Sequence, residues 1–132
     1  MEKIFYTQKK LLADVREHLL ANLSNNILNL DEIVIVINEV IQNIYRHAYQ
    51  MQDEKPITMT MDIYQDQVIF KINDHAQHSD LSFLKKEYKP SEDGQIGLNV
   101  IKKICSHYDV RHTDQGHETS CIIKLQQWKT KI

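Results

Sequence analysis

The sequence predicts an α+β fold, a two-layer α/β sandwich with three main helices over a mixed, mostly antiparallel sheet. Three observations predict it. Apolar residues recur at helical spacing in two early stretches, and strict alternation replaces that period after Pro56. A third helical stretch then precedes a last pair of short strand-like runs.

Residues 9–23 place Leu11, Val15, Leu19 and Leu23 at intervals of four, one stripe of an amphipathic helix, with Leu12 and Leu20 beside it. Lys3-Ile4-Phe5-Tyr6 before it suggests a short strand. After Ser24-Asn25-Asn26 breaks the pattern, Asp31 reads as the N-cap of a second helix running to about Tyr49. Ile33, Ile37, Val40, Ile41, Ile44, Tyr45 and Ala48 share one sector of that helix, and Glu39, Asn43 and His47 climb another at i, i+4, i+8. Ile35 and Val36 break the division, so the first turn is expected to be covered by another element.

Met59, Met61 and Ile63 then alternate with Thr58, Thr60 and Asp62, and Gln65-Asp66-Gln67 turns the chain into Val68-Ile69-Phe70-Lys71-Ile72. That is a β-hairpin, followed by a polar loop from Asn73 to Asp80. Residues 81–96, with Pro90, Ser91, Asp93 and Gly94, read as a loop. A third helix is expected from about Gly97 to Ser106, and Val110 to Thr113 with Thr119 to Leu125 form a second hairpin around Asp114-Gln115-Gly116.

The chain has 132 residues and a formal net charge of −2. One domain over residues 1–132 is expected, able to fold without disulfide or metal. Such a balance gives no general attraction to nucleic acid or anionic lipid, so neither is an expected partner. Cys105 and Cys121 follow no metal-ligand spacing and read as buried free thiols. There is no signal-peptide core and no bilayer-length apolar run, so a cytoplasmic location is expected.

The most informative segment is Glu39-Val40-Ile41-Gln42-Asn43-Ile44-Tyr45-Arg46-His47-Ala48-Tyr49. A carboxylate one helical turn from a carboxamide suits a magnesium-bound phosphate. The amide oxygen is a hard ligand for Mg²⁺, and the carboxylate can take the proton of an attacking hydroxyl. On spacing alone, a solvated helix face is the commoner meaning of such a pair. Asp74, after a strand, equally suits an Asx turn, and two loop histidines, His75 and His78, are too few for a zinc site. Gly94-Gln95-Ile96-Gly97-Leu98 enters a helix whose free N–H groups favour anions.

Taken together and in this order, the segments resemble the boxes of the histidine-kinase-like (GHKL) ATPases, whose fold is the Bergerat-type ATP-binding sandwich. The first is similar to the Glu-x-x-x-Asn-x-x-x-His-Ala-Tyr form of anti-sigma-factor serine kinases and matches all five positions. The resemblance runs from about residue 9 to residue 125. It implies ATP and Mg²⁺ as cofactors, with Glu39 as general base, Asn43 on the magnesium and His47 and Tyr49 in support near the nucleotide. It makes Asp74 the acceptor of the adenine amino group, with Asp80 a further aspartate of that branch. Gly94, Gly97 and Leu98 correspond to the glycine box ending the ATP lid, and Thr119 to a threonine assisting the adenine aspartate. Two positions depart from the pattern: Ala76 stands where the family has glycine, and Gln95 where glycine is frequent. The implied activity is ATP-dependent phosphorylation of a serine or threonine on an anti-sigma-factor antagonist by a homodimer that also holds a sigma factor. The alternative is a non-catalytic partner-binding module on the same fold, which Ala76 and Gln95 motivate.

Overall fold

The computed structural model describes residues 1–76 and 95–126, and the side chains of 95–98 are not among what it describes. The elements follow the order β1 (Glu2–Tyr6), α1 (Leu11–Asn22), α2 (Leu30–Asn43), a π-helical turn (Ile44–Ala48), β2 (Pro56–Ile63), β3 (Gln67–Asp74), α3 (Gln95–Ile104), β4 (His107–His112) and β5 (His117–Lys124). The five strands form one sheet in the order β1-β2-β3-β5-β4. Among the described residues every pairing is antiparallel, so no parallel pair is mixed in.

Alternation decides which face of the sheet is covered. Ile57, Met59 and Met61 of β2, Val68, Phe70 and Ile72 of β3, and Cys121 and Ile123 of β5 are buried. Register lines them up in rows across the sheet: Met59–Ile72–Thr119, Met61–Phe70–Cys121, and at one end Ile57–Asp74–His117. A pleated strand sends alternate side chains to opposite faces, so these rows make one continuous inner surface. The helices supply the other half of the core. Leu11, Val15, Leu19 and Leu23 are buried, as the stripe at intervals of four requires, whereas Leu20 is exposed. In α2, Ile33, Ile37, Val40 and Ile41 are buried, as is Ile44 at the start of the π turn, each worth about 1.5–3 kcal/mol over the exposed state. Val36 is also fully covered, while Ile35 beside it is exposed, so only one of the two irregular positions is sheltered.

Several boundaries differ from those read in the sequence. Asn29, not Asp31, is the N-cap of α2, and its side chain does not cap the helix. Its amide donates to the Lys124 carbonyl at 2.9 Å and accepts from the Gln126 N–H at 2.9 Å, tying the start of α2 to the end of β5. Asp31 sits in the first turn, where a carboxylate still complements the helix dipole. Asn73 and Asp74, expected in a loop, close β3 with a full ladder to β2 and β5. Gln95 and Ile96 belong to α3, which ends at Ile104, before Ser106. β4 begins at His107; as an edge strand with alternating exposed positions it carries little apolar signal.

Past α3, Cys105 meets Cys121 of β5, and the two free thiols share a hydrogen bond. That bond lowers the pKa of the half-buried Cys105, and the same bond together with burial pushes that of Cys121 up. Among the described residues, no helix is long and apolar enough to cross a membrane.

Candidate nucleotide site

α2 carries the first part of the site. Glu39 is half-buried near its end, and Asn43, one turn further, is the last residue in α-helical register. Asn43 is only 6% exposed, and its Nδ2 has no hydrogen-bond partner. Leaving a buried donor unpaired costs about 1–3 kcal/mol, so such a group calls for an explanation beyond folding. A buried carboxamide that the fold itself leaves unsatisfied fits a position reserved for a ligand. Its oxygen-nitrogen pair serves either a hard cation, through the amide oxygen, or a phosphate, through the N–H.

The next five residues widen the helix. Tyr49 N–H bonds back to the Ile44 carbonyl at 2.9 Å, a spacing of five, and Met51 N–H reaches the Tyr45 carbonyl at 2.8 Å. π turns inside helices recur at functional sites. Here the wider turn takes His47, half-buried, out of the single file that a uniform α-helix would give with Glu39 and Asn43. It also rotates Tyr49 into the core at 5% exposure. The Tyr49 hydroxyl donates to the Pro56 carbonyl at 2.6 Å and accepts from the His75 N–H at 2.7 Å. Burial raises the pKa of this phenol, keeping the proton it donates. One side chain thereby fastens the helix end to the start of β2 and to the residue after β3. Gln50 and Met51, at φ 50° and 64°, then turn the chain away from the helix in left-handed conformations.

β3 and β5 carry the second part. Asp74, 3% exposed, ends β3 on the inner face. Its Oδ1 accepts from the Ala76 N–H at 3.0 Å, which is an Asx turn, and from His117 Nδ1 at 3.0 Å. His117 is itself 2% exposed and lies directly opposite Asp74 across the β3–β5 ladder. A carboxylate only accepts, so Nδ1–H is the donor in that bond. Thr119, buried at 3%, faces Ile72 one inward row away, and the bonds to Asp74 come from Ala76 and His117.

Gly116 stands immediately under this turn. A Cβ on it would lie 2.2 Å from the Asp74 carbonyl oxygen and 2.8 Å from His75 Cα, both backbone atoms. Only glycine lets β5 approach β3 this closely. Ala76, in contrast, is not among the described non-glycine residues with positive φ, which are Gln50, Met51 and Glu54. Its methyl therefore brings no backbone strain at the position where the family resemblance expects glycine. A cavity of about 360 Å³, bordered by Ala48, Tyr49, Gln52, Lys55, His75 and Ala76, adjoins the Asp74–Ala76 turn. Its size is in the range of small-ligand clefts. It touches neither Glu39 nor Asn43, so it borders the Asp74 end of the site only.

Of the remaining expected site residues, Asp80 and Gly94 lie outside the described residues. Gly97 and Leu98 fall within the first turns of α3, and the side chain of Leu98 is not described. The roles of Gly116 and His117 are not legible from their neighbours in sequence. His117 and Gly116 act across a strand pairing 43 residues away in sequence, between His117 and Asp74. Tyr49, expected in support near the nucleotide, also anchors the helix end to the two strands through its hydroxyl. A glycine followed by an inward-facing histidine at the start of the last strand was the available signal.

Comparison with known proteins adds the following. The serine-protein kinase RsbW of Listeria monocytogenes serotype 4a (strain HCC23) is 30% identical to this chain, and those of Listeria innocua serovar 6a and Oceanobacillus iheyensis are 29% and 27% identical. In each, the match covers 66% of this chain and 60% of the kinase. The matched part thus falls short of two thirds of the length of these relatives. The profile of the histidine kinase-like ATPase domain matches residues 7–123, from the end of β1 to β5. The match takes in Glu39, Asn43, Asp74 and His117 alike, and the chain belongs to the histidine kinase-like ATPase domain family.

Proposed function

We propose that this chain is an ATP- and Mg²⁺-dependent protein kinase of the anti-sigma type, which phosphorylates a serine or threonine on a protein antagonist. The observation that carries the reading is the buried Asn43 carboxamide, whose Nδ2 has no partner, one turn from the half-buried Glu39 carboxylate. A helix serving only as scaffold gains nothing from this pair. The relatives' name, serine-protein kinase, supports the choice of acceptor. The His47-Ala48-Tyr49 ending of the helix motif supports the anti-sigma branch, with a homodimer, a sigma factor and an antagonist as the proposed assembly, in the cytoplasm.

The roles follow from the site's own groups. Bound Mg²⁺–ATP would supply the γ-phosphoryl group, with ADP leaving. Asn43 would hold the metal through its amide oxygen. Asp74, held at Oδ1 by two donors, keeps Oδ2 for the adenine amino group. Glu39 accepts the proton of the acceptor hydroxyl. Ala76 and Gln95 favour the second reading, a partner-binding module without turnover. Ala76 weighs less for it than the sequence alone implies, since its backbone needs no glycine conformation.

The test uses γ-labelled ATP, Mg²⁺ and a seryl antagonist protein. Glu39→Ala is expected to keep ATP affinity within about threefold while cutting phosphoserine formation by roughly 10²- to 10⁴-fold, the usual contribution of a general base. Transfer at the unaltered rate in Glu39→Ala would remove Glu39 from that role. Tight ATP binding by the wild type with no transfer to any hydroxyl protein would favour the binding module.

A further inference from the structure

We propose that His117 is the positioning residue for nucleotide recognition, fixing the Asp74 carboxylate so that its second oxygen is presented to a 6-aminopurine. The proposal rests on the reading of Asp74 as the adenine acceptor. Both donors that reach Asp74 converge on Oδ1, the Ala76 N–H from the same turn and the His117 ring from the neighbouring strand, each at 3.0 Å. No donor of the described residues engages Oδ2. An Asx bond alone leaves the carboxylate restrained from one side. The ring of His117 adds a restraint from β5, so that the carboxylate is held by two elements of the sheet.

His117 is well placed to hold that position. It is 2% exposed, its strand is locked against Asp74 by the close passage of Gly116, and the His112 ring of β4 packs against its own at 4.8 Å between centroids. A merely structural histidine would support β3 and β5 equally for any ligand. A positioning histidine matters selectively for a base that carries an amino group where Oδ2 points.

The experiment measures the affinity of the whole chain for Mg²⁺–ATP and for purine riboside triphosphate, which has hydrogen in place of the 6-amino group. The ratio of the two affinities is the readout. Wild type is expected to prefer ATP by about tenfold or more, the worth of a hydrogen bond to a charged group. His117→Phe should bring the ratio close to one by weakening ATP alone. His117→Asn, whose Nδ2 occupies the place of the imidazole Nδ1, should restore the preference to within about threefold, whereas His117→Gln, which donates from the wrong position, should not. Melting curves report folding separately. If His117→Phe does not fold, the Asn and Gln variants decide.

Equal loss of both nucleotides, or full preference for ATP in folded His117→Phe or His117→Gln, would overturn the positioning role and leave the Asp74 assignment standing. A wild type that does not distinguish the two nucleotides would overturn the Asp74 assignment itself, and the role of His117 with it.

Discussion

Asn43→Ala is expected to abolish the magnesium-dependent part of ATP binding while leaving the protein as stable as before or slightly more so. The two effects have opposite signs because the Asn43 carboxamide is a cost to the fold. It is buried at 6% exposure and its Nδ2 is unpaired. Removing it relieves a desolvation penalty of about 1–3 kcal/mol and gives up the packing of a few atoms, which offsets part of that gain. Buried His18 Nε2 and Asn38 Oδ1 are likewise unpaired, so it is the placement of Asn43 one turn from Glu39 that ties its unpaired group to a ligand. The loss of binding should be at least as large as the roughly 10- to 100-fold that removing an outer-shell partner costs at a metal site. Thermal melting and titration with ATP, each with and without Mg²⁺, check the pair of effects. A large fall in melting temperature with unchanged magnesium dependence would assign Asn43 to the core instead.

Gly116→Ala is expected to damage both the fold and the nucleotide site. The added Cβ would fall 2.2 Å from the Asp74 carbonyl oxygen, 2.8 Å from its carbonyl carbon and 2.8 Å from His75 Cα. All three are backbone atoms in or beside a paired strand, so no side chain can swing away to make room. The β3–β5 ladder must open where it joins Asp74 to His117. Overpacking of this kind costs about 1–3 kcal/mol, and a rigid backbone obstacle points to the upper part of that range. Because the displaced residue is Asp74, ATP affinity should fall beyond what partial unfolding explains. Chemical denaturation combined with ATP titration under folded conditions separates the two. Wild-type stability in Gly116→Ala would mean that the strands part without cost.

What the sequence made legible was local. The buried faces of α1 and α2 follow from apolar spacing, the β2–β3 hairpin from alternation around Gln65-Asp66-Gln67, and the Glu39/Asn43 pair from one helical turn. These depend on neighbours within a few residues. The π turn at Ile44–Ala48 was not legible, because a change from four- to five-residue hydrogen bonding leaves no trace in hydrophobic periodicity over so short a stretch. Its consequence, Tyr49 turned inward as an anchor, was hidden with it. Asn29 looked like an ordinary linker residue because its partners, Lys124 and Gln126, stand at the far end of the chain. His117 was hidden for the same reason: its role exists only once β5 pairs with β3 in one particular register, which the Gly116-His117 pair alone does not specify. The polar, half-exposed start of β4 gave no alternation to read.

The most direct test of the account is calorimetric titration of the purified chain with a non-hydrolysable ATP analogue, with and without Mg²⁺. The expected result is binding that Mg²⁺ strengthens and that Asp74→Asn and Asn43→Ala each weaken, as a site built from β3 and α2 together requires. No binding at millimolar analogue, or binding indifferent to Mg²⁺ and to both substitutions, would contradict it.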